Sequence, residues 1–394
     1  QRAMAGLAER QENPQDSFWS WRELMYRFAG RLDPDSLRDV ATQLYAEMLE
    51  AGYTHVCEFH YLHHAPDGAP YADRAAMSRA LMEAAAHAGI RMTLLPVLYM
   101  TGGFDERPLE PRQRRFGHAL DDYLTLLAQL RRMENDRLRV GVALHSLRAV
   151  PAGAMPALLE ALAGHDFPIH IHIAEQLAEV EQCLATRGAR PVRWLLDHAP
   201  VDARWTLVHA THLDAGEISG IAASGACVSI CPTTEGNLGD GLFPLRAFLD
   251  AGGRFSIGSD SHVSVSPVEE LRWLEYGQRL ISHRRNLASE PGTPGTGEAL
   301  LRHAWAGGAQ GAGLPLGCLQ EGAFADLIVL DPDAPALAGA RDGDVLERFV
   351  FAGNRPLVAE TWVGGQRVVA EGRHRERETI ARRYARTLRC LLAG

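Results

Sequence analysis

Short apolar runs separated by longer amphipathic stretches set the strongest constraint on how this chain folds. Seven runs have the length and residue types of strands, at 55–60, 93–98, 140–145, 169–173, 206–210, 226–230 and 255–258. Stretches of helical period lie between them, at 36–51, 75–88, 117–132, 154–163, 177–186, 215–223 and 245–251, and many end at glycine. Repeated strand–helix–strand units run their strands in one direction, so the alternation implies a parallel sheet with helices outside it. The expected fold is α/β, a (β/α)8 barrel of the TIM type. An eighth strand is needed ahead of the helical stretch 19–28, and the expectation is that this first strand lies upstream of Gln1, missing from the sequence.

The 394 residues exceed the roughly 250 of a typical barrel, so a smaller appended unit is expected. Past Asp260, helical segments near 267–283 and 297–312 lead into strand-like runs at 322–331 and 360–369, the second holding a Gly364-Gly365 turn. The division expected is an N-terminally incomplete barrel over 1–312, part of a small β-sandwich domain over 313–372 and a C-terminal helix over 373–394.

Hydrophobic residues make up 46% of the chain, enough for a large core, and the net charge of -9 leaves no broad basic surface for nucleic acid. The six cysteines form no CxxC pair, the usage of a reducing compartment, and the cytoplasm is the expected location. No apolar run approaches the ~18 residues of a membrane span, so no membrane partner is expected.

Polar residues close several of the apolar runs, and strand ends are where a β/α barrel carries its chemistry. His170 and His172 share one face of their strand, with His172 nearer the end. His172 is the better metal ligand, and His170 reads as a packed interior histidine or as a partner of a ligand. Glu175 suits proton transfer from the loop after the strand, or equally a charge at the start of the following helix. His209 ends the next apolar run, where a hydrogen-bonded core histidine is the plainer reading. Asp260 leaves an apolar strand, so a cation or a hydrogen-bond network must compensate its lost hydration. The order His, Glu, His, Asp on successive strand ends is a stronger signal than any one of them.

Longer stretches carry a resemblance: 1–6, Asp16-Ser17-Phe18-Trp19-Ser20-Trp21-Arg22, His145-Ser146-Leu147-Arg148, 170–176, 235–241 and Gly258-Ser259-Asp260-Ser261-His262. Through them the chain resembles the amidohydrolase superfamily, and most closely its branch acting on formimino groups. The resemblance implies that His172 and Asp260 are metal ligands, with two further histidines expected upstream of Gln1. It also implies Glu175 as acid and base, Asp260 as acceptor of the water proton and His209 as hydrogen-bond partner of that water. One Zn2+ per subunit is the implied cofactor, with Fe2+ or Mn2+ also compatible with such ligands. The implied reaction converts N-formimino-L-glutamate to N-formyl-L-glutamate and ammonia, a step of histidine degradation.

A substrate with two carboxylates calls for arginines, and Arg22 and Arg148 are the candidates, with Gln1, Tyr61 and His145 as further polar contacts. A surface salt bridge is the alternative for Arg22. The loop 236–241 reads as a segment that closes over the ligand or as a tight turn only. Competing readings are a deaminase of a purine, pterin or adenosyl substrate, which the two arginines oppose, and a metal-free homologue that binds a small ligand, which Glu175 opposes. A homodimer is expected from the superfamily.

Overall fold

The computed structural model describes residues 1–9 and 18–393, with the backbone alone at 18–20. Asp16 and Ser17, part of one stretch that carries the resemblance, lie outside the described residues. One parallel sheet holds β1 (His55–His60), β2 (Arg91–Leu98), β3 (Leu138–Val140), β4 (Val142–Ser146), β5 (Ile169–Ile173), β6 (Trp205–His209), β7 (Cys227–Ile230) and β8 (Arg254–Ile257). Its order is β1-β2-β4-β5-β6-β7-β8, with β3 paired to β2. β3 and β4 occupy a single strand position broken at Gly141, where a Cβ would lie 2.6 Å from Leu95 and 2.8 Å from Pro168. Only glycine lets the backbone pass there.

The expected strand positions are therefore all occupied, and the sheet is curled: the helix Thr296–Ala312 packs against both β8 and β1, the two ends of the order. β2, β5 and β6 are buried along their whole length, which is why they read as near-continuous apolar runs. The outer helices carry local stop signals. The helix Pro34–Ala51 begins at Asp33, whose side chain accepts from the Ser36 amide, and ends at Gly52 with φ 102°.

The helix Thr296–Ala312 closes one end of the sheet. Thr93 Oγ1 donates to the Ala312 carbonyl at 3.0 Å, and His170 Nε2 donates to the Gly311 carbonyl at 2.8 Å. His170 is thus a packed interior histidine, turned away from the strand end that holds His172.

The second sheet contains β9 (Leu327–Leu330), β10 (Val358–Val363), β11 (Gln366–Ala370) and β12 (Arg373–His374), antiparallel in the order β12-β11-β10-β9. The turn between β10 and β11 is Gly364-Gly365, both with positive φ, as a two-residue hairpin requires. Among the described residues these strands form one sheet, within the stretch 313–372 expected as part of the small β domain apart from β12, and the helix Pro34–Ala51 packs against it. Thr361 Oγ1 on β10 donates to the Leu49 carbonyl of that helix. Val358, Val363 and Val369 of this sheet are buried. Arg373 and His374 belong to β12, and the terminal helix spans Arg377–Ala393. Among the described residues no helix is long and apolar enough to cross a membrane.

Candidate active site

The chain leaves its strands through tight bends. Ala174, His209, Ala210, Asp260 and His262 all have φ between 38° and 68°, a region that non-glycine residues enter at a cost of ~1–2 kcal/mol. Strain of this kind persists where surrounding contacts hold it. Here it turns the residues after β5, β6 and β8 toward a common point.

His172, buried near the end of β5, donates from Nδ1 to the His145 carbonyl at 3.1 Å. Nε2 is left as the presented atom, 3.3 Å from the Tyr61 hydroxyl, while the Phe59 ring packs edge-on at 4.1 Å. Ligand-capable atoms of His172, His209 and Asp260 all lie within 4.8 Å of one another. Burial and neighbouring His209 hold His172 well below the ordinary histidine value, so its imidazole is neutral. The neutral imidazole of His172 and the carboxylate of Asp260 are ligand types that fit Zn2+ and equally Fe2+ or Mn2+. A ring fixed through its other nitrogen to a carbonyl is the usual companion of such a ligand.

Glu175 is 8% exposed, and burial raises its carboxyl above the ordinary value, with Asp260 adding to the rise and His209 and Arg148 opposing it. Its amide donates to Glu179, and its Oε1 stands 3.6 Å from His209 Nε2. Burial works against a charge on His209, but Glu175, Cys231 and Glu235 outweigh it and hold the ring well above the ordinary histidine value.

Tyr61 stacks on His172, and the His145 ring lies 5.7 Å from that of Tyr61. Arg148 follows β4, its Nε buried without a hydrogen-bond partner and its charge held up by Glu179 and Glu175 against burial. Arg22, on the helix Phe18–Ala29, donates to the Tyr26 hydroxyl at 2.8 Å. Gln1, Arg22, Tyr61, His145, Arg148, His172, Glu175, His209 and Asp260 all line one cavity of about 1200 Å3. Every site residue singled out from the sequence is thus at this cavity.

Sequence reasoning overlooked Glu235 and Glu179, both buried beside these groups. Glu235 sits in the helix Pro232–Leu238, so the expected loop 236–241 begins as the end of a helix. The available signal was a carboxylate in the first turn after Cys231-Pro232, which also reads as a helix cap.

A curled parallel sheet that gathers titratable side chains at its strand ends is the layout of a β/α enzyme. The chain belongs to the amidohydrolase family, whose model matches residues 6–368. It is similar to formimidoylglutamate deiminase of Pseudomonas aeruginosa, 52% identical over 394 residues, or 100% of this chain and 86% of that protein. It is also similar to the crystal structure of an amidohydrolase from Brucella melitensis, 44% identical with a TM-score of 0.95 over 99% of this chain and 86% of that one. The structure of atrazine chlorohydrolase from Arthrobacter aurescens, complexed with zinc, is 25% identical with a TM-score of 0.81 over 98% and 85% of the two chains.

Proposed function

We propose that this chain is a formimidoylglutamate deiminase, hydrolysing N-formimino-L-glutamate to N-formyl-L-glutamate and ammonia in histidine degradation. The observation that carries the reading is the match over the whole of this chain to a deiminase of that name, 52% identical. The strand-end cluster supports it with groups suited to each step. The parallel sheet is read as part of a (β/α)8 barrel, and Zn2+ as the cofactor.

His172 and Asp260 would hold the metal, beside His209. When bound, the metal makes water a nucleophile at neutral pH and polarises the reacting group. Asp260 accepts the proton that this water gives up. Glu175, raised by burial, would deliver one proton to the imino nitrogen, the water proton held on Asp260 would follow as the second so that ammonia leaves, and the hydroxyl proton on the reacting carbon would recharge Glu175 as the formyl carbonyl forms. His209 orients the water and stabilises charge developing at the reacting carbon. Arg148 and Arg22 bind the two carboxylates, with Tyr61, His145 and Gln1 as further polar contacts.

The exposed residues Trp273, Tyr276, Leu280 and Ile281 on the helix Pro267–Ser282 support association into a homodimer, which light scattering checks. The cytoplasm remains the proposed location.

Ammonia release from N-formimino-L-glutamate by the Zn2+-loaded protein, beside a purine and pterin panel, tests the reading. Turnover that falls about 1000-fold in Glu175→Gln is the expected result. Release from a purine or pterin in place of the formimino substrate overturns it.

A further inference from the structure

We infer that Glu235 is a positioning residue of the site, fixing the ring plane of His209 and holding a proton on its Nδ1, an inference that rests on the deiminase reading for its kinetic consequence. Glu235 Oε1 lies 3.2 Å from His209 Nδ1, and the two side chains are 3% and 1% exposed. A carboxylate only accepts, so the bond requires a proton on Nδ1. That leaves Nε2 as the atom facing Glu175, 3.6 Å away, on the side of the His172 and Asp260 ligand atoms.

Two further observations support the assignment. His209 and Ala210 have φ of 68° and 47°, so the backbone at this strand end is strained and something must hold the side chain where it is. The sheet register also places Glu235 correctly. Val208 pairs with Ser229, so the first helical turn after β7 rises beside the end of β6. Cys231, between β7 and that turn, completes a second cluster of ligand-capable atoms with His209 and Glu235 within 4.8 Å.

Glu235 Oε1 also accepts from the Cys231 amide at 2.9 Å, which caps the helix Pro232–Leu238. A capping role alone asks only for an acceptor of this shape, and glutamine supplies one. Positioning asks for an acceptor that cannot become a donor. In Glu235→Gln the amide can present either its oxygen or its NH2 to the ring, so a proton on Nδ1 is no longer required.

The experiment is histidine-selective 15N NMR of the full chain, with His209→Gln to assign the ring, together with steady-state kinetics. The wild type is expected to show a His209 signature protonated at Nδ1, and Glu235→Gln a mixture of ring forms. In Glu235→Gln kcat falls about tenfold and KM stays within about twofold, the weight of exchanging a charge-assisted bond for a neutral one. Glu235→Leu, if it folds, loses the Nδ1 signature and about 100-fold in kcat. An unchanged ring signature or an unchanged kcat in Glu235→Gln overturns the inference. If the wild type releases no ammonia while the ring signature still responds to Glu235→Gln, the deiminase reading falls and the positioning role stands.

Discussion

Burial divides the roles of the charged residues at this site. Burial raises the carboxyl of Glu175 above its ordinary value, which favours the acid form that the proposed proton transfer needs. The acid form is lost as pH rises through the raised value, and kcat of the wild type is expected to fall along that limb of its pH profile. Arg148 shows the complementary case, a buried cation aimed into the cavity with its Nε unpartnered. Arg148→Met should raise KM about 10–100-fold with a smaller change in kcat, measured by initial rates, since carboxylate binding is shared by ground and transition states. The strand-end residues were legible because an apolar run with a polar terminus is a local pattern. Glu235 was not. Its partner lies 26 residues away, and in the chain it looks like an ordinary capping carboxylate.

Two elements carry predictions of their own. The helix Thr296–Ala312 packs so tightly on β8 that a Cβ at Gly307 would lie 2.0 Å from the Phe255 carbonyl oxygen. Gly307→Ala should therefore cost about 1–3 kcal/mol in chemical denaturation, despite the better helix propensity of alanine. The turn after the helix Pro232–Leu238 holds Asp240, which burial, with Glu175 nearby, pushes up from 3.8 to about 8. A carboxyl raised on folding contributes stability that is fully present below about pH 4 and lost as pH rises to about 8. Asp240→Asn stays neutral throughout, so the variant should exceed the wild type in stability by about 1 kcal/mol or more at pH 9 and lose that advantage at pH 4. Denaturant melts at the two pH values check this. The seven strand positions and the Gly364-Gly365 hairpin were readable because strand and turn signals span only a few residues. The helices Pro191–His198 and Val345–Phe351 were not expected, being too short for the 3.6-residue period to stand out.

At the scale of the molecule, the two sheets are joined by a buried ion pair. Arg91 on β2 meets Asp326 at 3.1 Å, the Gly364 amide donates to the same carboxylate, and the Phe324 ring covers the guanidinium at 3.7 Å. Arg91→Met leaves the Asp326 charge buried without its cation, so a loss of about 3–5 kcal/mol in a denaturant titration is expected. Alternation of short apolar runs with amphipathic helices was enough to state the parallel sheet, the strand positions and the polar groups at their ends, because each of those signals is local. The packing of the helix Pro34–Ala51 on the small sheet could not be read in the same way. Nor could the raised carboxyl of Glu175 or the meeting of Glu235 with His209. Each depends on burial and on atoms far apart in the chain, and electrostatic energy is set by distance and by exclusion of water. Those quantities exist only once the strands stand side by side.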